Sequence, residues 1–107
     1  MIKEELLKLL EEFQCEMFDT LNSKGHDYAN EDVLSNFKEV SQLVGVTPET
    51  VVMVMIVVKI VRLSNLLKNS KTPKNESVKD NLLDLTNYTF LLNAIINERN
   101  KSEGLHI

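Results

Sequence analysis

One cysteine, three glycines and two prolines are all that the 107 residues hold of the types that staple or break a chain. Cys15 has no internal disulfide partner and sits inside a helical pattern, which suits a reducing compartment and the role of a small packing residue. Long uninterrupted apolar runs are also missing. Val51-Val52-Met53-Val54-Met55-Ile56-Val57-Val58 looks membrane-like, but Lys59 and Arg62 end it far short of the ~20 residues a span requires. A membrane partner is therefore not expected. Nor is there a surplus of positive charge. Twelve basic against sixteen acidic residues give a net charge of -4, and a field of that sign disfavours DNA or RNA, whose binding rests on neutralised phosphates. Residues 1–10 carry Lys3, Glu4, Glu5 and Lys8 in amphipathic order instead of a secretory signal, so a cytoplasmic protein is expected. No internal repeat or low-complexity tract is visible.

What remains is the composition of an ordinary globular domain, 43% apolar and 26% charged. One helical domain over residues 1–107 is expected, able to bury a core but short enough that a second copy would help it. Apolar residues at Ile2, Leu6, Leu9, Leu10, Phe13, Met17 and Leu21 mark a first helix over 2–22, closed by Ser23-Lys24-Gly25. Residues 25–32 have no period and read as an ordered loop, the kind of segment that carries chemistry. A short helix over 34–44 follows, with Ser35 as cap, Phe37, Val40, Leu43 and Val44 facing inward, and Gly45 as its stop.

Thr47-Pro48-Glu49 combines a capping hydroxyl, a proline at the first helical position and an acid at the positive end of the dipole. It starts a third helix over 48–68, expected to be buried on nearly every side. A strand is the competing assignment for its β-branched run, but the apolar pattern continues through Leu63, Leu66 and Leu67, beyond usual strand length. After the linker at 69–74, Asn75 caps a fourth helix over 76–99, and residues 101–107 form a polar tail. The expected architecture is all-α and four-helix-bundle-like. Because the third helix is too apolar for a small domain to cover, a homo-oligomer is expected, with a site near the subunit interface.

Charge falls where it is expensive. Lys59 and Arg62 continue an apolar stripe of the third helix, and Glu76, Asp80, Asp84 and Asn87 share a sector of the fourth that becomes Leu91 and Ala94. Two helices joined by a short linker pack antiparallel, so the two sets are expected to meet. Two readings compete. In one, Arg62 pairs with Asp80 or Asp84 in an ion-pair network that only fixes helix register. In the other, Lys59 and Arg62 grip phosphate oxygens while Glu76, Asp80 and Asp84 hold Mg²⁺ or Mn²⁺. Near them Asp27 and Tyr28 are candidates for ligand contact, Tyr28 either stacking on a base or plugging the bundle end, and Asn36 opens the second helix where free N–H groups meet an anion. His26 beside Asp27 reads as a surface residue, and the acids of the first helix, Glu12 and Glu16 included, read mostly as a solvated face.

Four stretches in order, Lys24-Gly25-His26-Asp27-Tyr28, Leu34-Ser35-Asn36-Phe37, Lys59-Ile60-Val61-Arg62-Leu63 and Glu76-Ser77-Val78-Lys79-Asp80-Asn81-Leu82-Leu83-Asp84-Leu85-Thr86-Asn87-Tyr88, carry a resemblance. Together they resemble the phage and bacterial nucleotide-modification-associated domain, and more distantly the phage dATP/dGTP diphosphohydrolases of the MazG-like all-α superfamily. The resemblance implies a helical fold, a phage or prophage setting in a bacterial host cytoplasm, and a nucleotide ligand. It points to Asp27, Tyr28, Asn36, Lys59, Arg62, Glu76, Asp80 and Asp84. It also implies metal-dependent nucleotide pyrophosphohydrolysis, but the Glu-x-x-Glu that those hydrolases carry before the basic pair is absent, since 51–58 is wholly apolar. Nucleotide binding is thus the leading expectation. A non-catalytic sponge that sequesters a nucleotide immune signal is the alternative, and a helical protein-interaction module with a structural charge network is a further one.

Overall fold

The computed structural model describes residues 1–25, 32–69 and 75–104, with backbone alone at 24, 25 and 75–77. Among these residues the chain is all-α, with four helices in a bundle-like arrangement: α1 Lys3–Gly25, α2 Ser35–Val44, α3 Pro48–Lys68 and α4 Asn75–Ser102. The start of α3 is the strongest local signal. Thr47 Oγ1 accepts the Thr50 N–H at 3.2 Å, Pro48 occupies the first turn and Glu49 lies at the positive end of the helix dipole.

The start of α2 corrects an expectation. Ser35 is not its cap but its first helical residue; Asp32 supplies the entry, its Oδ1 accepting the Leu34 N–H at 3.0 Å and its carbonyl the Ser35 N–H at 3.1 Å. Gly45 ends α2 at φ +82°, a left-handed conformation that costs glycine little, and its N–H donates to the Ser41 carbonyl at 2.9 Å. Both long outer helices run about three residues beyond their expected ends, α1 to Gly25 and α4 to Ser102.

α3 and α4 form the main packing pair, α2 lies on α3, and α1 touches α4. Glu49 at the start of α3 meets Arg99 near the end of α4 at 2.9 Å, whereas Lys59, further along α3, meets Asp84. The two helices are therefore antiparallel. The core is small: Leu34, Val52 and Ile95, with Phe37, Ile56, Tyr88, Leu91 and Leu92 packed around them. Val52 is fully enclosed.

Three expected burials fail. Within α2, Leu34, Phe37 and Ser41 turn inward while Val40 and Val44 are exposed and Leu43 is 87% exposed. Lys38 explains this rotation, because it is held between Asp32 at the helix entry (2.6 Å) and Glu98 of α4 (2.7 Å). Cys15 is exposed instead of buried in the packing. Along α3 only one face is covered; Met53, Val54, Val57, Val58, Ile60 and Val61 are each about half exposed.

Candidate functional site

Of the two charged sets, one pair meets. Lys59 Nζ lies 2.9 Å from Asp84 Oδ2, with side chains 17% and 25% exposed. This is a half-covered ion pair between α3 and α4, the contact that the antiparallel arrangement demands. Its partners differ from those expected in the structural reading, where Arg62 was to take the carboxylate. Arg62 is exposed because the inner line of α3 runs through Val52, Ile56, Lys59 and Leu63, placing Arg62 about 60° to one side at 100° per residue. Asp80 is also exposed, although it shares Asp84's sector. It sits one turn nearer the start of α4, past the reach of α2. The side chain of Glu76, together with Asp27 and Tyr28, lies outside the described residues.

The described residues bring no group of three His, Cys, Asp or Glu side chains together, and Asp84 is held by Lys59. Of the three carboxylates expected to hold Mg²⁺ or Mn²⁺, two, Asp80 and Asp84, have described side chains.

Beside the ion pair is a cavity of about 410 Å³ between α1, α2 and α4. Asp84, Asn87 and Tyr88 line it from α4, Asn36 and Phe37 from α2, and Leu21 from α1; the rest of its wall is apolar. Asn36 and Asp84 are the two expected site residues found there. Asn87 was not singled out as a ligand residue, yet it is the most unusual one. It is 3% exposed, and neither its Oδ1 nor its Nδ2 has a hydrogen-bond partner among the described residues. A buried carboxamide without partners costs ~1–3 kcal/mol, so a native fold that keeps one calls for an explanation. A sequence signal existed in principle: Asn87 stands one turn beyond Asp84, between Leu83 and Leu91 on an inward sector.

Electrostatics outside the cavity are structural. Lys38 holds the Asp32 carboxyl below the usual carboxylate range, helped by the Leu34 N–H and opposed by partial burial. Hydrogen bonds to Asp32 and then Glu98 raise the Lys38 ammonium. Between α1 and α4 the Lys79 ammonium donates to Glu16 Oε1 at 2.7 Å, and this hydrogen bond raises Lys79 above its usual value. Glu16 therefore ties α1 to α4 instead of standing free on a solvated face.

Comparison of the chain with protein-family models, with curated proteins and with solved structures finds no match.

Proposed function

We propose that this is a nucleotide-binding protein whose cavity takes the base, and that it captures its ligand without transforming it. The observation that carries the reading is Asn87. Its carboxamide, enclosed in the free protein, carries a donor and an acceptor side by side, the pattern that pairs with the edge of a nucleobase once the side chains over it shift. Phe37 and Tyr88 supply aromatic surface in the same wall, and bases stack on such surfaces. A volume of about 410 Å³ falls within the range of small-molecule sites. Lys59 offsets the charge of Asp84, so the wall is close to neutral and suits a base better than a polyphosphate. Capture is favoured over pyrophosphohydrolysis because Asp84 is held by a lysine and Asp80 points to solvent.

A thermal-shift and calorimetry screen with adenine, guanine, cytosine and uracil nucleotides, each with and without Mg²⁺, tests this. At least one base class should stabilise the folded chain in proportion to its concentration, and chromatography should recover that nucleotide intact. Asn87→Leu should abolish the ligand response while raising the midpoint of the free protein by about 4 °C, since removal of an unpaired buried amide relieves its desolvation cost. Absence of any nucleotide response in the unmodified protein would overturn nucleotide binding. Release of phosphate or pyrophosphate would overturn capture and restore the hydrolase.

A further inference from the structure

We infer that the uncovered face of α3 receives the N-terminal half of α1 from a second copy of the chain, and that the exchange is reciprocal. This inference is independent of the cavity and its ligand.

The first observation is area. A folded monomer of 12.2 kDa exposes about 6,100 Å², whereas this protomer exposes 8230 Å². The surplus, about 2,100 Å², is large enough to supply one partner's share of a stable dimer interface. The radius of gyration agrees, at 16.3 Å against about 13 Å for a compact chain of this length.

The second observation is where the surplus lies. Taking Val52 as the inner face of α3, Met53, Val54, Val57, Ile60 and Val61 fall between about 80° and 200° around the helix, on the opposite side. Their spacing of three and four residues is that of a helix-packing seam. The other unpartnered surface is α1. Glu16 meets Lys79 only four residues into α4, so the preceding part of α1 has no α4 beside it, and residues 1–12 are all exposed. Ile2, Leu6, Leu9 and Leu10 repeat on that segment with helical spacing. α1 makes no packing contact with α3 of its own chain. Each surface thus lacks what the other provides.

Charge fits the same pairing. After Glu49, α3 carries only basic residues, with Arg62 and Lys68 exposed, while the first twelve residues hold Glu4, Glu5, Glu11 and Glu12 against Lys3 and Lys8. A symmetric exchange satisfies both copies and closes the assembly at two.

A bilayer is the competing occupant, because α3 is 21 residues long and holds an 18-residue stretch with a mean hydropathy of 2.0, of which 11% is buried. The inner face argues against it. Glu49 and Lys59 are engaged with Arg99 and Asp84, and spanning would strip α3 of α4 and leave those charges in hydrocarbon.

Light scattering on the full chain should give twice the mass of one protomer. Leu6→Glu on α1 and Val57→Glu on α3 should each weaken association at least tenfold while leaving the helical circular dichroism in place, as both positions are exposed in the protomer. A test that needs no disruptive change uses Cys15→Ser as background. Leu6→Cys protein mixed with Val54→Cys, Val57→Cys or Val61→Cys protein should form a mixed disulfide-linked dimer in at least one combination. A monomer at micromolar concentration, a dimer indifferent to Leu6→Glu, or flotation of the chain with neutral phospholipid vesicles would each overturn the inference.

Discussion

The two faces of α3 are built from nearly the same side chains and meet opposite fates. Val52 and Ile56 pack with side chains of α4 and of the α2 entry, and Val52 is wholly enclosed; Met53, Val57 and Val61 on the same helix remain about half exposed. Hydropathy alone does not distinguish them. What does is the partner: α4 supplies one long antiparallel surface, α2 is only 10 residues long, and α1 is turned to α4. A helix that is apolar all round thus reports that it needs covering on every side without saying by what.

The largest expected effect separates the faces directly. Val52→Ala should lower stability by about 2 kcal/mol, the cost of deleting buried methyl groups without collapse of the space they leave. In a dimer part of any stability depends on protein concentration, and that dependence distinguishes the outer face. Val57→Ala should leave the unfolding midpoint little changed in dilute protein and lower it in concentrated protein, whereas Val52→Ala should lower it equally at both. Urea unfolding at two concentrations a hundredfold apart measures this. Equal behaviour of the two variants would mean that the outer face contributes nothing to association.

How much of this was legible in the sequence follows from how local each determinant is. Thr47, Pro48, Glu49 and Gly45 specify their helix ends through neighbours within four residues, and those ends stand where the pattern puts them. The antiparallel pairing of α3 with α4 was also legible, because a short linker leaves little choice, and it brings Lys59 to Asp84. Periodicity, however, gives a stripe and not its centre. A rotation of about 60° exposes Arg62 while keeping Lys59 inside. In α2 the same uncertainty is resolved by Lys38, whose two acceptors come from residues 32 and 98, a tertiary fact invisible in a ten-residue window. Asn87 was hidden for another reason. A polar residue on an apolar sector normally has a partner, and only the packed structure shows that this one has none among the described residues.

A second contrast lies within α4, where Asp84 is paired and Asn87, one turn on, has no hydrogen-bond partner among the described residues. Removing one member of a half-covered ion pair strands the other, whereas removing both avoids that cost. Lys59→Met and Asp84→Leu should each cost about 1–2 kcal/mol, and the double variant less than their sum by about 1 kcal/mol. Additive losses in a double-mutant cycle by chemical unfolding would show that the pair is incidental. The contrast with Asn87→Leu, for which a gain in stability is expected, then becomes one of sign.

The smallest effect concerns the ties that orient α2, where exposure is higher and screening correspondingly greater. Asp32 and Lys38 side chains are 42% and 39% exposed, so their pairing is worth only about a few tenths of a kcal/mol after solvent screening. Its pH dependence has a definite direction at each end. Because the folded Asp32 carboxyl titrates below its usual value, the unfolded chain binds that proton more readily; the contribution is complete above about pH 4 and is lost as pH falls through the folded value. The folded Lys38 ammonium titrates above its usual value, so its contribution is complete below about pH 10 and is lost as pH rises through the folded value. Urea midpoints of the unmodified protein and Lys38→Met should therefore differ most near neutrality and converge as pH falls through the folded Asp32 value, with a smaller difference at every pH in 0.5 M salt. A difference that survives unchanged once the folded Asp32 carboxyl is protonated would mean that Lys38 orients α2 through the packing of its aliphatic stem, and α2 would then belong with the covered face of α3 as a matter of apolar contact instead of charge.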